Sequence, residues 1–148
     1  MITIRKAQSE DLNQLVPLFD AYRVFYAQKS DIAKARTFLQ ERIDNSESEI
    51  FIAFDNDHAA GFTQLYPTFS SVSMERSYIL NDLYVIPEAR RKGIGKMLIN
   101  YTQTWVKTKK YKGLALETAI DNPAQKLYEN EGWTKDERFL HYYWTRPE

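Results

Sequence analysis

The sequence predicts an α/β protein of the α+β kind: one mixed, largely antiparallel sheet of six or seven strands, with helices on both faces. Three observations predict it. In the N-terminal half, β-type alternations are joined by short polar turns, as hairpins are. In the C-terminal half they are separated by helical periods, as crossovers are. The 148 residues contain no repeat or linker, which suits a single domain over residues 1–148 whose core needs no metal or disulfide.

Ile2 and Ile4 alternate like a first strand. Ser9 offers a cap to a helix carrying Leu12, Leu15, Val16, Phe19, Tyr22 and Tyr26, with Pro17 inside it predicting a kink or a later start. Asp31 caps a second helix through Ala35, Phe38, Leu39 and Ile43. Ile50–Phe54 and Ala59–Tyr66 flank the turn Asp55-Asn56-Asp57 and read as a hairpin, left at Pro67 and Ser70–Ser73. Tyr78–Ile86 is a β stretch closed by Pro87, and helical spacing resumes at Ile94, Met97, Leu98, Tyr101 and Trp105. Leu114–Thr118 reads as a strand, Pro123–Glu131 as a short helix ended by Gly132, and Phe139–Thr145 as a last strand.

Composition excludes several classes of function. Twenty Lys and Arg balance twenty Asp and Glu, so no overall field draws the chain to nucleic acid or an anionic membrane. Cysteine is absent, which removes thiolate zinc sites and any intermediate carried on a protein thiol. His58 and His141 are the only histidines, too few for a His-rich metal site, so no metal is expected. No apolar run approaches the roughly 20 residues of a membrane span, and the start MITIRKAQ is strand-like, so a cytoplasmic location is expected.

Charge must therefore act locally, and Arg90-Arg91-Lys92-Gly93-Ile94-Gly95-Lys96 places four cations and two glycines in seven residues. A strand leading through glycines into a helix aims backbone N–H groups and the positive end of the helix dipole at one spot. These residues alone leave two readings open, a solvated basic turn and a diphosphate cradle. A P-loop is excluded, because position 90 holds Arg and Met97 follows Lys96; the dinucleotide fingerprint is excluded by Leu98 where a third glycine belongs. Lys107, Lys109, Lys110 and Lys112 read as the solvated end of a helix rather than a nucleic-acid patch.

Preceded by Asn81-Asp82-Leu83-Tyr84-Val85-x-Pro87, the run Arg90-x-x-Gly93-x-Gly95 resembles the acetyl-CoA signature of the GNAT superfamily of N-acetyltransferases. About thirty residues on, Asp121-Asn122-Pro123-Ala124-Gln125-Lys126-Leu127-Tyr128-Glu129-Asn130-Glu131-Gly132-Trp133 resembles that family's second cofactor motif. The resemblance implies a fold with splayed central strands, the pantetheine arm lying in the gap against backbone groups of Leu83, Tyr84 and Val85. It implies that the diphosphate rests on Arg91, Lys92, Gly93, Ile94, Gly95 and Lys96 with Arg90 beside them, and that Asn122, Ala124 and Tyr128 border the cofactor.

Acetyl transfer to an amine demands a neutral amine, a stabilised oxyanion and a proton for the departing thiol. Without cysteine, direct attack by the amine in a ternary complex is favoured. The resemblance points to Tyr128 as proton donor: a phenol of pKa near 10 can protonate a thiolate whose acid titrates near 8.5. Asp82, Glu117 or water is the base. Tyr22, Tyr26, Tyr66 and Asn81 are the candidate acceptor-binding residues, since aromatic faces and nearby carboxylates suit a cationic amine. Leu80-Asn81-Asp82-Leu83-Tyr84-Val85 is similar to the branch acting on polyamines, amino acids or protein lysines, whose members pair as homodimers; the aromatic run Phe139–Trp144 is a candidate interface. The alternative is a CoA-binding sensor or partner module without turnover, which Asn81 suggests, since family members often carry an acid at its position.

Overall fold

Alternating Ile2 and Ile4 build β1 (Ile2–Lys6), which pairs antiparallel with β2 (Glu49–Asp55) in the register Ile4↔Ala53. The computed structural model describes residues 1–148, and their packing divides them into Met1–Glu117 and Thr118–Glu148. In the first, β3 (His58–Ser70) follows β2 through Asn56-Asp57, with Asn56 at φ 57°, the left-handed conformation that tight hairpins favour and asparagine tolerates. The long strand β4 (Glu75–Val85) pairs antiparallel with β3, and β5 (Leu114–Ala115) pairs parallel with β4. The sheet thus has five strands in the order β1-β2-β3-β4-β5, fewer than expected but of the same mixed class.

Helix α1 (Leu12–Phe25) runs through Pro17, which is exposed, and its start differs from the cap read at Ser9. Asp11 organises that start: its carboxylate accepts from Gln8 N at 2.8 Å and from both Arg5 guanidinium nitrogens at 2.8 Å, which hold it below the usual carboxylate range. Asp31 caps α2 (Ile32–Asp44) by accepting from Lys34 N at 3.0 Å. These two helices cover one face, where Leu15, Val16, Phe19 and Leu39 bury against Ile50, Ile52 and Phe62. Each such aliphatic or aromatic burial contributes about 1.5–3 kcal/mol. Helix α3 (Ile94–Lys109) covers the other face, setting Trp105 edge-on to Phe51 and Tyr78.

Two strand boundaries depart from the sequence reading. Pro67 lies inside β3 rather than ending it, because β2 begins at Glu49, opposite Leu65, and β3 beyond that point has only β4 beside it. A residue without an N–H is tolerated on such an edge. The strand read at Leu114–Thr118 stops at Ala115. Its parallel ladder reaches Ile79, and the register of β4 against β3 then shifts, Gln64 facing Asp82 and Leu65 facing Leu80, so that Asn81 is the extra residue of a β-bulge.

In Thr118–Glu148 the regular element is α4 (Gln125–Asn130), followed by Gly132 at φ 93°. The strand expected at Phe139–Thr145 does not form. Its aromatic side chains are exposed, Trp144 at 77%, and alternation alone makes no ladder without a hydrogen-bonding neighbour.

One glycine in the sheet has a steric reason. A Cβ on Gly61 would stand 2.7 Å from the Tyr84 carbonyl oxygen, a backbone atom that can retreat only by moving β4. Gly61→Ala is therefore expected to lower the unfolding free energy by about 1–3 kcal/mol, the cost of overpacking. Urea denaturation measures it, and an unchanged midpoint would contradict the close approach.

Candidate functional site

The bulge at Asn81 decides what the end of β4 presents. Plain alternation puts Tyr78, Leu80, Asp82 and Tyr84 on one face of the strand. The extra residue breaks that phase: Tyr78 packs 5.0 Å from Trp105 of α3, whereas Tyr84 packs 6.4 Å from Tyr22 of α1, on the opposite face. Asp82 goes with Tyr84. It lies in the wall of a cavity of about 310 Å³ that Asn81 and Tyr66 also line. Helix α1 adds Phe19, Tyr22 and Arg23 to that wall, and α2 adds Lys34, Ala35 and Phe38.

A carboxylate only 2% exposed needs hydrogen bonds, and Asp82 has them. Oδ2 accepts from Gln64 Nε2 at 2.6 Å and Oδ1 from Asn81 Nδ2 at 2.7 Å. Gln64 is buried as well, and its own oxygen accepts from Ser48 Oγ at 2.9 Å, which fixes the amide with its NH₂ toward Asp82. Thr63 Oγ1 donates to the Asp82 carbonyl at 2.8 Å. The Tyr22 phenol donates to the Asn81 carbonyl at 3.1 Å and also acts on the Asp82 carboxyl. Burial pushes the Asp82 carboxyl up, and the bonds from Asn81, Gln64 and Tyr22 oppose that without cancelling it. Burial likewise pushes the Tyr66 phenol up, with the Asp82 charge adding to the effect.

Of the residues singled out for an acceptor, Tyr22, Tyr66 and Asn81 thus meet Asp82 at one cavity. Tyr26 packs on Tyr22 at 5.0 Å but does not line it, and Glu117 lies exposed beyond the end of β5. Gln64, Ser48, Phe19, Phe38, Arg23 and Lys34 were not singled out. Phe19 and Phe38 stack at 5.7 Å with a 7° interplanar angle, and in the sequence they show only as helix core positions.

The second candidate feature is the other edge of β4 and the loop that follows. Leu80 to Val85 have no ladder partner on the β5 side, since that pairing ends at Ile79, so backbone groups of Leu83, Tyr84 and Val85 border an open edge. After Pro87–Ala89, Arg90 Nε donates to the Val85 carbonyl at 3.1 Å, and its guanidinium sits 5.8 Å from the Tyr84 ring centre. Lys92 pairs with Asp55 at 3.1 Å, which lowers the Asp55 carboxyl, while Arg91 is exposed. Gly93 caps α3 at φ 76°, a conformation costly for any side chain, and a Cβ there would meet nothing within 4 Å. Ile94 is buried and anchors the first turn of α3, whose leading N–H groups lack carbonyls within the helix. Open space before a left-handed glycine, an unpaired strand edge and Arg91 fit a diphosphate joined to an amide-bearing arm.

In the C-terminal unit, Asn122 Oδ1 accepts from Ala124 N at 2.9 Å, so its side chain organises the turn into α4. Tyr128 N donates to the Ala124 carbonyl at 3.2 Å, and the Tyr128 ring lies 5.8 Å from that of Trp133.

The chain is similar to known proteins along most of its length. Residues 14–133 match the model of the acetyltransferase (GNAT) family. The chain is 48% identical over 142 residues to the uncharacterized N-acetyltransferase YhfO of Bacillus subtilis (strain 168), covering 95% of each chain. It is 33% identical over 129 residues to a probable acetyltransferase of Haemophilus influenzae, covering 86% of this chain and 87% of that one. The crystal structure of a probable acetyltransferase superposes with a TM-score of 0.93 at 38% identity, over 99% of both chains.

The raised Asp82 carboxyl sets a pH dependence. Its proton is bound more tightly in the folded chain than in the unfolded one, where the value is near 3.9, so its contribution to stability is full below about pH 4 and is lost as pH rises through the raised folded value. Asp82→Asn has no such proton. The unfolding free energy of the wild type minus that of the variant should fall between about pH 4 and neutrality. Urea titrations across that range measure it, and a flat difference would show that Asp82 keeps its ordinary proton affinity.

Proposed function

The chain belongs to the GNAT family of acetyltransferases, and from that premise we propose that it transfers an acetyl group from acetyl-CoA to a primary amine held in the cavity lined by Asp82. The observation that carries this reading is the buried, hydrogen-bonded Asp82 carboxyl facing a cavity with Tyr22, Tyr66 and Asn81. Acetyl-CoA, when bound, supplies a thioester whose C–S bond breaks as the amine nitrogen forms the new C–N bond, CoA leaving as the thiol.

On the cofactor side, the open edge at Leu83, Tyr84 and Val85 offers N–H and C=O groups to the amides of the pantetheine arm. The turn from Arg90 to Lys96 offers backbone N–H groups of Gly93, Ile94 and Gly95 to the diphosphate, with Arg91 and Lys96 adding charge. Lys92 is paired with Asp55 at the end of β2, so it fastens the turn to the sheet instead of adding charge for the diphosphate.

On the acceptor side, an alkylammonium ion must lose a proton before its nitrogen has a lone pair to share. Asp82 is the base of this reading, directly or through water, and its raised proton affinity narrows the gap to the amine. Glu117, exposed and outside the cavity, is the weaker candidate. Tyr22 and Asn81 hold the Asp82 carboxyl and border the amine. Tyr128 returns a proton to the departing sulfur.

Release of CoA from acetyl-CoA, followed across a panel of polyamines, amino acids and lysine peptides, tests the activity. At least one class should accelerate it over water; binding of CoA with no acceleration by any amine would favour a CoA-binding module instead. Tyr128→Phe is expected to lower kcat by about a hundredfold or more, the scale of general acid catalysis, while calorimetry finds CoA affinity unchanged. Wild-type turnover in that variant would remove Tyr128 from the reaction.

A further inference from the structure

The charges around the acceptor cavity are uneven, and their distribution bears on what the amine carries. Two cationic side chains line it, Arg23 from α1 and Lys34 from α2, against one carboxyl, Asp82. That carboxyl is already engaged on both oxygens, by Gln64 and by Asn81. The other acidic groups near the rim are committed elsewhere. Asp20 accepts from Ser30 Oγ at 2.7 Å and from Asp31 N at 2.8 Å, and Asp31 accepts from Lys34 N. Asp20 is within electrostatic reach of Arg23, whose Nη1 also donates to the Lys29 carbonyl at 3.2 Å. The Lys34 ammonium has no ion-pair partner, whereas Arg42, whose charge reaches Tyr66, pairs with Glu41 and Glu47.

A polyamine or another polycation brought to this cavity would set its second ammonium beside Lys34 and Arg23, where the lining holds Asp82 as its single acidic side chain. The cavity is also small. About 310 Å³ stands at the lower end of the roughly 300–1,000 Å³ usual for ligand pockets, and its walls include the stacked rings of Phe19 and Phe38. We infer that the acceptor is a small amine that also bears a carboxylate on a short apolar or aromatic body, an amino acid rather than a polyamine. The carboxylate is received at the Lys34 and Arg23 rim, the body lies against Phe19 and Phe38, and the amine approaches Asp82. This inference rests on the acetyltransferase reading and narrows its substrate class.

Matched acceptors separate the two. Phenylalanine and leucine carry the carboxylate; phenylalaninamide and leucinamide lack its charge; phenethylamine and isoamylamine lack the group; putrescine carries a second cation. With acetyl-CoA saturating, the amino acids should exceed their amides and amines in kcat/KM by about tenfold or more, chiefly through KM, the scale of one well-formed charge-assisted contact. Both Lys34→Ala and Lys34→Glu alter an exposed side chain with no ion-pair partner, so they are expected to fold. The first should remove the preference for acid over amine, and the second should turn it toward putrescine. Thermal shift of the CoA-bound protein by leucine or phenylalanine, absent for the amides, gives the same answer without turnover. Amides or putrescine used as well as the amino acids would overturn the inference while acetyl transfer stands. If no acceptor of any charge releases CoA, the acetyltransferase reading fails and this one with it.

Discussion

One extra residue in a strand governs the rest of this structure. Asn81 enters β4 opposite no partner of its own, and the register of the strand changes across it. The change turns Asp82 and Tyr84 from the face covered by α3 to the face covered by α1 and α2. The β5 ladder also ends at Ile79, just before the bulge, leaving the following edge of β4 open from Leu80 to Val85. In the proposed reading a single bulge therefore separates two duties along one strand: side chains toward an acceptor on one face, and backbone groups toward a cofactor on one edge. Bulges re-aim side chains near functional sites for the physical reason seen here, that they alter phase without breaking the strand.

Burying a carboxyl at that position is costly, and the surrounding residues show how the cost is met. Ser48 orients the Gln64 amide, Gln64 and Asn81 donate to Asp82, and Thr63 secures the strand through the Asp82 carbonyl. The helices on this face are fixed by a second polar group. Asp20, buried in α1, accepts from Ser30 and Asp31, so the chain between α1 and α2 is tied to the helix it leaves. That tie sets the start of α2 and hence the position of Lys34 one turn into it. Two buried carboxyls with opposite shifts thus do different work. Its donors hold the Asp20 carboxyl below the usual carboxylate range, while the burial of Asp82 outweighs its donors and pushes it up.

Much of the fold was legible because hydrophobic period is a local signal. The helices at Leu12–Phe25, Ile32–Asp44 and Ile94–Lys109 follow the spacing of their apolar residues, and Gly93 marked the start of the third through the conformation that it alone adopts without strain. What was not legible depends on partners distant in sequence. The bulge at Asn81 exists only relative to Gln64 and Leu65, so strict alternation at Tyr78, Leu80, Asp82 and Tyr84 conceals it. Pro67 reads as a strand end unless one knows that β2 begins opposite Leu65. Phe139–Trp144 has the composition of a strand and no ladder, because composition supplies propensity but not a neighbour. Within the site, Tyr22, Tyr66, Asn81 and Asp82 could be named from their chemistry. Gln64 and Ser48 could not, since a polar residue in a strand gives no sign of whether it faces water or a buried acid.

The balanced charge of the chain takes on meaning at this scale. With equal numbers of acidic and basic groups, any selection by charge must come from where they are paired and where they are not. Arg5 is spent on Asp11, and Lys6 pairs with Glu49. Lys92 is spent on Asp55, so even within the cationic run from Arg90 to Lys96 part of the charge serves to fasten the loop to the sheet. At the cavity the arrangement differs: Asp82 is engaged by hydrogen bonds on both oxygens, Arg23 bonds the Lys29 carbonyl, and Lys34 keeps an ammonium with no ion-pair partner. A net charge of zero thus yields a pocket with two cations in its wall and one hydrogen-bonded carboxyl at its floor. In that setting a protonated amine gains little from simple attraction, and an acceptor is better held by a group other than the one that reacts. Binding energy is then placed away from the nitrogen, which must give up its own charge before acetyl transfer begins.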